Sequence, residues 1–204
     1  MKTNSKKRQT GKKKLKKDIL ILCCGKTEQS YFQYYRRFYH MELQNVKIKI
    51  VPSKQNISLS MVDEAISNKN DYFEVWVVFD RDSDLKFDQA ITKALNNNIK
   101  CAFSNAAFEY WLLLHLIDKS GIIQISELIS DLTKLLRYKY EKNKNIQRVC
   151  GDIIESTKLA EKRAKLRHEE HKKDNKKKYS DWCSCTTVYE LTKRLREWES
   201  INRH

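Results

Sequence analysis

Short apolar runs alternate with amphipathic stretches through the first half of the chain, which predicts strands alternating with helices. Ile19, Leu20, Ile21, Leu22 and Cys23 form a run that ends before Gly25. A polar turn and an aromatic segment from Tyr31 to Tyr39 follow, giving strand, turn and helix. Val46–Val51 alternates apolar residues with Lys47 and Lys49 and stops at Pro52, as expected of a strand with one wetter face near a sheet edge. Leu59, Val62 and Ile66 share one face of a helix starting near Ser60. Val75, Trp76, Val77, Val78 and Phe79 then make an unbroken β-branched and aromatic run that predicts a central strand buried on both faces and ending at Asp80. A helix over Phe87–Asn96, a strand over Ile99–Phe103 and a helix capped by Asn105 and running through His115 complete this half. The fold class expected is α/β, with a mostly parallel four-stranded sheet and right-handed crossovers.

Beyond Gly121 the period becomes helical. Ile125, Leu128, Ile129, Leu132, Leu135 and Leu136 line one face, and Thr187 with Glu190 forms a capping box ahead of Val188, Leu191, Leu195 and Trp198. This predicts an α-helical extension over residues 119–204 on a core domain of residues 18–118. Residues 158–178 carry few apolar positions and are expected to be a projecting helix or partly disordered.

Composition narrows the function classes. The chain has 204 residues, enough for one core domain with an extension. With 40% hydrophobic residues it can pack an interior, and with 4 glycines and 1 proline it is a poor match to an all-β sandwich. The net charge is +15, and two blocks account for all of it. Residues 1–17 hold nine basic residues, Lys12, Lys13 and Lys14 among them, and no acid, which predicts a disordered basic arm. Residues 158–178 hold ten basic residues, including Lys162, Arg163, Lys165 and Arg167, against four acidic ones. Blocks of this kind neutralise phosphates, so nucleic acid is the first partner to consider; solvated faces are the plainer alternative. The polar, basic start of the chain and six cysteines without a secretory leader point to a reducing cytoplasm. Cys183-x-Cys185 lacks the spacing of a zinc site, and no apolar run has the length of a membrane helix.

The chemistry concentrates where the central strand ends. Asp80, Asp82 and Asp84 alternate there, and in extended geometry Asp80 and Asp82 would point the same way. Two carboxylates about 4 Å apart repel by roughly 4 kcal/mol at an effective dielectric of 20, and a divalent cation reverses that cost. Hard oxygen ligands suit Mg²⁺ or Mn²⁺. The same spacing also fits an Asx-rich turn in which Asp84 caps the next helix. There is no G-x-x-x-x-G-K-[ST] or G-x-G-x-x-G sequence, so any ATPase activity would come from another chain.

Taken in order, Gly25-Lys26-Thr27-Glu28, the aromatic segment Gln29-Ser30-Tyr31-Phe32, Val78-Phe79-Asp80-Arg81-Asp82, Ser104-Asn105 and Phe108-Glu109-Tyr110-Trp111-Leu112-Leu113-Leu114-His115 resemble the RloB-like family. The resemblance spans about residues 19–115 and extends more faintly to Thr187-Val188-Tyr189. It implies a Toprim-like Rossmannoid core, a setting in bacterial defence loci beside a separately encoded ATPase, and Mg²⁺- or Mn²⁺-dependent phosphodiester chemistry. Carried over by position, Asp80 and Asp82 would hold metal with Asp84 as an accessory ligand, and Glu109 would take the family's Phe-Glu acid. The family's first-strand Glu falls on Cys24, a soft and mostly protonated ligand unsuited to Mg²⁺. Either the site is impaired there, or Glu28, which also matches a family Glu, completes it. Lys26 stands where it could touch a phosphate, or is an ordinary surface lysine. Phe108, Trp111, Leu112 and His115 recur at helical spacing and are expected to face the core, with His115 a satisfied core histidine.

These readings yield an expected metal-dependent nuclease that prefers RNA, such as tRNA, to DNA. Two alternatives stand beside it. One is a catalytically inactive module that binds nucleic acid or an ATPase partner; the other, disfavoured by the charge, is a phosphatase for a small substrate.

Overall fold

The structure is a computed structural model that describes residues 18–39, 46–50, 57–82, 84–174 and 176–202. The arm with Lys12, Lys13 and Lys14, and also Pro52 and Ser83, lie outside the described residues. The chain runs β1 (Ile19–Cys23), α1 (Lys26–Phe38), β2 (Val46–Ile50), α2 (Ile57–Asn68), β3 (Glu74–Asp80), α3 (Phe87–Asn96), β4 (Lys100–Asn105), α4 (Glu109–Leu116), α5 (Ile125–Leu136), α6 (Ile146–Ile153), α7 (Thr157–Lys173), β5 (Cys185–Thr186) and α8 (Val188–Asn202).

β1 is buried along its whole length, and β3 is buried from Val75 to Phe79. Alternate side chains of a strand face opposite ways, so both strands must be apolar throughout when both faces of the sheet are covered. Ile19, Ile21, Trp76 and Val78 enter one core with residues of α1 and α4–α8. Leu20, Leu22, Val75, Val77 and Phe79 enter a second core with α2 and α3. The C-terminal helices therefore share the main core with the sheet.

The strand order is β2-β1-β3-β4-β5, which leaves β2 at an edge as its alternating pattern predicts. β1 pairs in parallel with β2 and β3, and β3 in parallel with β4. β5 pairs antiparallel with the end of β4, through Ser104 with Thr186 and Asn105 with Cys185. The sheet is thus mixed and five-stranded, which corrects the expected mostly parallel sheet of four strands. A two-residue strand has no period to detect, and this one exists because the returning chain meets β4, where the Ser104 and Thr186 hydroxyls lie 2.8 Å apart.

Two helices differ from expectation for reasons of packing. α4 is buried on all sides, Tyr110, Leu113 and Leu114 included, so the one-sided face expected for it is too narrow. α7 does not project: Thr157, Ala160, Ala164 and His168 are buried at intervals of three and four residues, and the small side chains let it lie close against α4. Among the described residues no helix is long and apolar enough to cross a membrane.

Candidate active site

Between β1 and β3 the chain order reverses, and in sheets of this order the crevice at the carboxyl ends of those two strands is where ligands bind. The Cys24 N–H donates to the Val78 carbonyl at 3.0 Å, which fixes the turn after β1 against the end of β3. Gly25 then opens α1 in extended conformation, φ −149°. A Cβ at Gly25 would stand 2.8 Å from Glu28 Oε2, so glycine is what lets the Glu28 carboxylate fold back over the turn.

Three acids converge at this crevice from three elements. Glu28, in the first turn of α1, is 2% exposed, and the Cys24 thiol donates to its Oε1 at 3.2 Å. Asp80 ends β3 and accepts from the Phe108 N–H at 3.4 Å. Glu109, at the start of α4, is completely buried; the Tyr140 hydroxyl donates to its Oε1 at 2.9 Å, while its Oε2 has no hydrogen-bond partner. Lys142 Nζ lies 3.8 Å from that Oε2.

Burial dominates the electrostatics. Desolvation, then the charge of Glu28, pushes Asp80 up to about 7, against the pull of Lys142. Glu28 is also raised by burial, with its own backbone N–H, the Cys24 thiol and Lys142 acting in the opposite direction. Burial and the neighbouring carboxylates drive the Cys24 thiol far above the ordinary thiol range, so it stays protonated and serves as a hydrogen-bond donor. Burial works against the charge on Lys142, but Glu109, Asp80, Glu28 and Asp82 outweigh it and hold the ammonium above the usual lysine value.

Asp82 and Asp84 take other positions. The extended register that would align Asp82 with Asp80 ends at Asp80. The Arg81 and Asp82 N–H groups turn onto the carbonyls of Ser104 and Ala106, and Asp82 adopts φ +33° and is exposed at the rim. Asp84 Oδ2 accepts from the backbone N–H and the hydroxyl of Ser58, at 3.0 and 2.5 Å, and Oδ1 accepts from the Lys86 N–H at 2.8 Å. It thereby ties the first turn of α2 to the loop after β3 and is spent as a structural acceptor.

The basic candidates also divide. Lys26 is exposed on the first turn of α1. Lys162 and Lys165 are exposed on α7. Arg163 instead donates to the Leu114 carbonyl at 2.6 Å, and Arg167 to Asp118 at 3.1 Å and Glu170 at 2.8 Å, so both arginines tie α7 to its surroundings. His115 is a core histidine: its Nδ1 lies 3.0 Å from the Trp111 carbonyl and its Nε2 3.3 Å from the Tyr31 hydroxyl, and burial lowers it to about 4.

Tyr140 and Lys142 are the site residues that sequence reasoning passes over. They sit on the segment between α5 and α6, which is fastened over α1 where the Thr27 hydroxyl donates to Asn143 Oδ1 at 2.8 Å. In sequence this segment is a polar, lysine-rich connector without a motif. Only its tertiary position gives Lys142 two buried acids and the half-buried Asp80 to face.

The donor set fits a hard divalent cation in charge and ligand type. Three carboxylates against one ammonium leave a deficit of two charges, and the bare Oε2 of Glu109 is an acceptor without a donor. Among the described residues no three His, Cys, Asp or Glu side chains are gathered to hold an ion by themselves. Mg²⁺ does not need such a cage, because one or two carboxylates suffice when water and substrate phosphate complete its shell. Asp80, which accepts from the Phe108 N–H, and Glu109, the next residue along the chain, are the pair that would hold it.

No curated protein and no solved structure matches this chain. A family model described as RloB-like protein matches residues 19–195, most of the chain. The chain belongs to the RloB-like family.

Proposed function

We propose that this protein is a Mg²⁺- or Mn²⁺-dependent phosphodiesterase acting on nucleic acid, with RNA, tRNA included, ahead of DNA. The observation that supports it is the convergence of Glu28, Asp80 and Glu109 at the carboxyl end of the β1–β3 crevice against the ammonium of Lys142. A bound divalent ion would supply Lewis-acid stabilisation of phosphate charge and a more acidic water. Asp80 and Glu109 would hold it, and Glu28 would deepen the negative field. Lys142, more than a third exposed, would be free to turn from Glu109 toward an incoming phosphate. Asp82 and Lys26 on the rim would meet the substrate before it reaches the buried acids. A role in bacterial defence beside a separately encoded ATPase, in the cytoplasm, belongs to the same proposal and rests on family membership.

Cys24 favours a second reading. As a protonated donor to Glu28 it occupies a ligand position without offering a ligand, which suits a module that binds nucleic acid without cutting it.

The test is Mn²⁺-dependent cleavage of labelled tRNA, single-stranded RNA and duplex DNA by the unaltered protein, Asp80→Asn and Cys24→Glu. The proposal expects the unaltered protein to cut RNA and Asp80→Asn to lose at least about 100-fold. Equal cleavage by Asp80→Asn overturns the site assignment. Cleavage by Cys24→Glu alone, with RNA binding by all three proteins, establishes the second reading.

A further inference from the structure

Away from the acidic crevice lies a groove of about 950 Å³, walled by α7 and α8 and floored by β3, β4 and the end of α3. It is a different site from the first: none of Cys24, Glu28, Asp80, Glu109, Tyr140 and Lys142 lines it.

The groove is charged on one side of the balance. Seven lysines and arginines line it against three glutamates. Charges of both signs are partly spent: Glu161 pairs with Arg196 at 2.5 Å and Glu197 with Lys193 at 3.8 Å, while Lys165 lies 3.5 Å from Glu169, and Lys100 and Arg194 lie 3.2 and 3.1 Å from Glu74. Lys158, Lys162 and Lys172 make no ion pair among the described residues. With Lys165 they recur at i, i+4, i+7 and i+14 on α7, a spacing that keeps them on one helical face over about 21 Å. Such a row lines up phosphates at intervals, and a single nucleotide is too short to reach its two ends. Half-buried Tyr179 and Tyr189 line the groove as well, and ring faces of this kind stack bases regardless of sequence. The protein's own basic arm cannot be the occupant, because residues 1–17 hold nine basic residues and no acid.

We propose that the groove between α7 and α8 binds single-stranded nucleic acid, its phosphates along Lys158, Lys162, Lys165 and Lys172 and its bases against the tyrosines. This deepens the nucleic-acid reading above and rests on it for the identity of the polyanion. The groove holds a stretch of strand that is distinct from the stretch meeting the acids.

The experiment titrates a fluorescein-labelled single-stranded RNA of about 10 nucleotides into the full chain in EDTA, so that binding is read without cleavage. The comparison is the triple variant Lys158→Gln, Lys162→Gln and Lys172→Gln, whose altered side chains are all exposed. Circular dichroism melting verifies its fold. Loss of three phosphate contacts should lower the slope of log K against log salt by about 2 and weaken binding at least about 10-fold near 0.1 M salt. Equal affinity and slope for the two proteins overturn the groove while leaving the nuclease reading to its own assay. Groove-dependent binding without Mn²⁺-dependent cleavage does the reverse. Competition by a mononucleotide as strong as that by the oligonucleotide, or lysine-dependent binding of poly-glutamate in place of RNA, overturns the strand as occupant.

Discussion

Lys142 Nζ lies 3.8 Å from the Oε2 of Glu109, a carboxylate oxygen that is fully buried and accepts no hydrogen bond. At an effective dielectric of 20 the attraction is at most about 4 kcal/mol, reduced by the exposure of the lysine. It is nevertheless the cation that pulls on both Glu28 and Asp80 as well as pairing with Glu109. Ammonium, proton and divalent ion are therefore alternative ways of compensating the same buried charge.

Replacing Lys142 with Met should uncover that competition. The three acids would lose their ammonium, and the protein should be destabilised by about 1 kcal/mol in EDTA, since the lysine is 42% exposed and solvent screens the pair. Mn²⁺ should restore more melting temperature to Lys142→Met than to the unaltered protein. Equal shifts on adding Mn²⁺ would show that lysine and metal do not share the site.

Tyr140→Phe isolates the other side of Glu109. Removing the hydroxyl leaves both carboxylate oxygens without a hydrogen bond and should cost about 1–3 kcal/mol in urea unfolding. The loss should shrink on adding Mn²⁺ if the ion takes Glu109 as ligand.

Stability against pH should separate Asp80 from the histidines. Asp80 titrates at about 7 in the folded chain and near 3.8 without its surroundings, so the native state holds the extra proton between these values. Its contribution is full below pH 4 and is lost as pH rises to 7, by about 4 kcal/mol. His115 and His168 are lowered from 6.5 to about 4, mainly by burial, so the unfolded state holds their protons in nearly the same window and acid destabilises. Asp80→Asn should leave the histidines opposed only by Glu28, the other carboxyl that burial raises. Its urea midpoint in EDTA should climb more steeply from pH 4 to 7 than that of the unaltered protein and exceed it at pH 8. Coincident curves would show that the Asp80 carboxyl is not desolvated.

Gly25→Ala tests the close approach at the start of α1. The backbone at Gly25 suits alanine, so the cost comes from the 2.8 Å contact with Glu28 Oε2 together with the poorer capping of α1 by alanine. A loss of about 1–3 kcal/mol is expected, as for other overpacked sites. Shortening the acid with Glu28→Asp should recover part of it, measured as the coupling in a double-mutant cycle.

How far the sequence reaches depends on how local the cause is. The central strand and its terminal Asp80 were legible because a continuous apolar run can be satisfied only inside a sheet covered on both faces. The carboxylates of Glu28 and Glu109 were legible through the family motifs. The alignment of Asp82 with Asp80 was not, since it assumed extended chain where backbone hydrogen bonds to Ser104 and Ala106 bend it. Arg163 and Arg167 looked like part of a solvated basic block, yet the carbonyl of Leu114 and the acids Asp118 and Glu170 claim them.

By itself, then, the sequence determined the α/β order, the buried strands and the acids at their ends, all consequences of periodicity and side-chain type over a few residues. Only the tertiary structure decided which cation faces those acids, that β5 closes the sheet antiparallel, and which lysines of α7 remain unpaired beside a groove. Each of these is set by groups far apart in the chain, as Lys142 is from Glu28 and Thr186 from Ser104, and their energies arise from burial and charge that exist only once the distant segments have packed together.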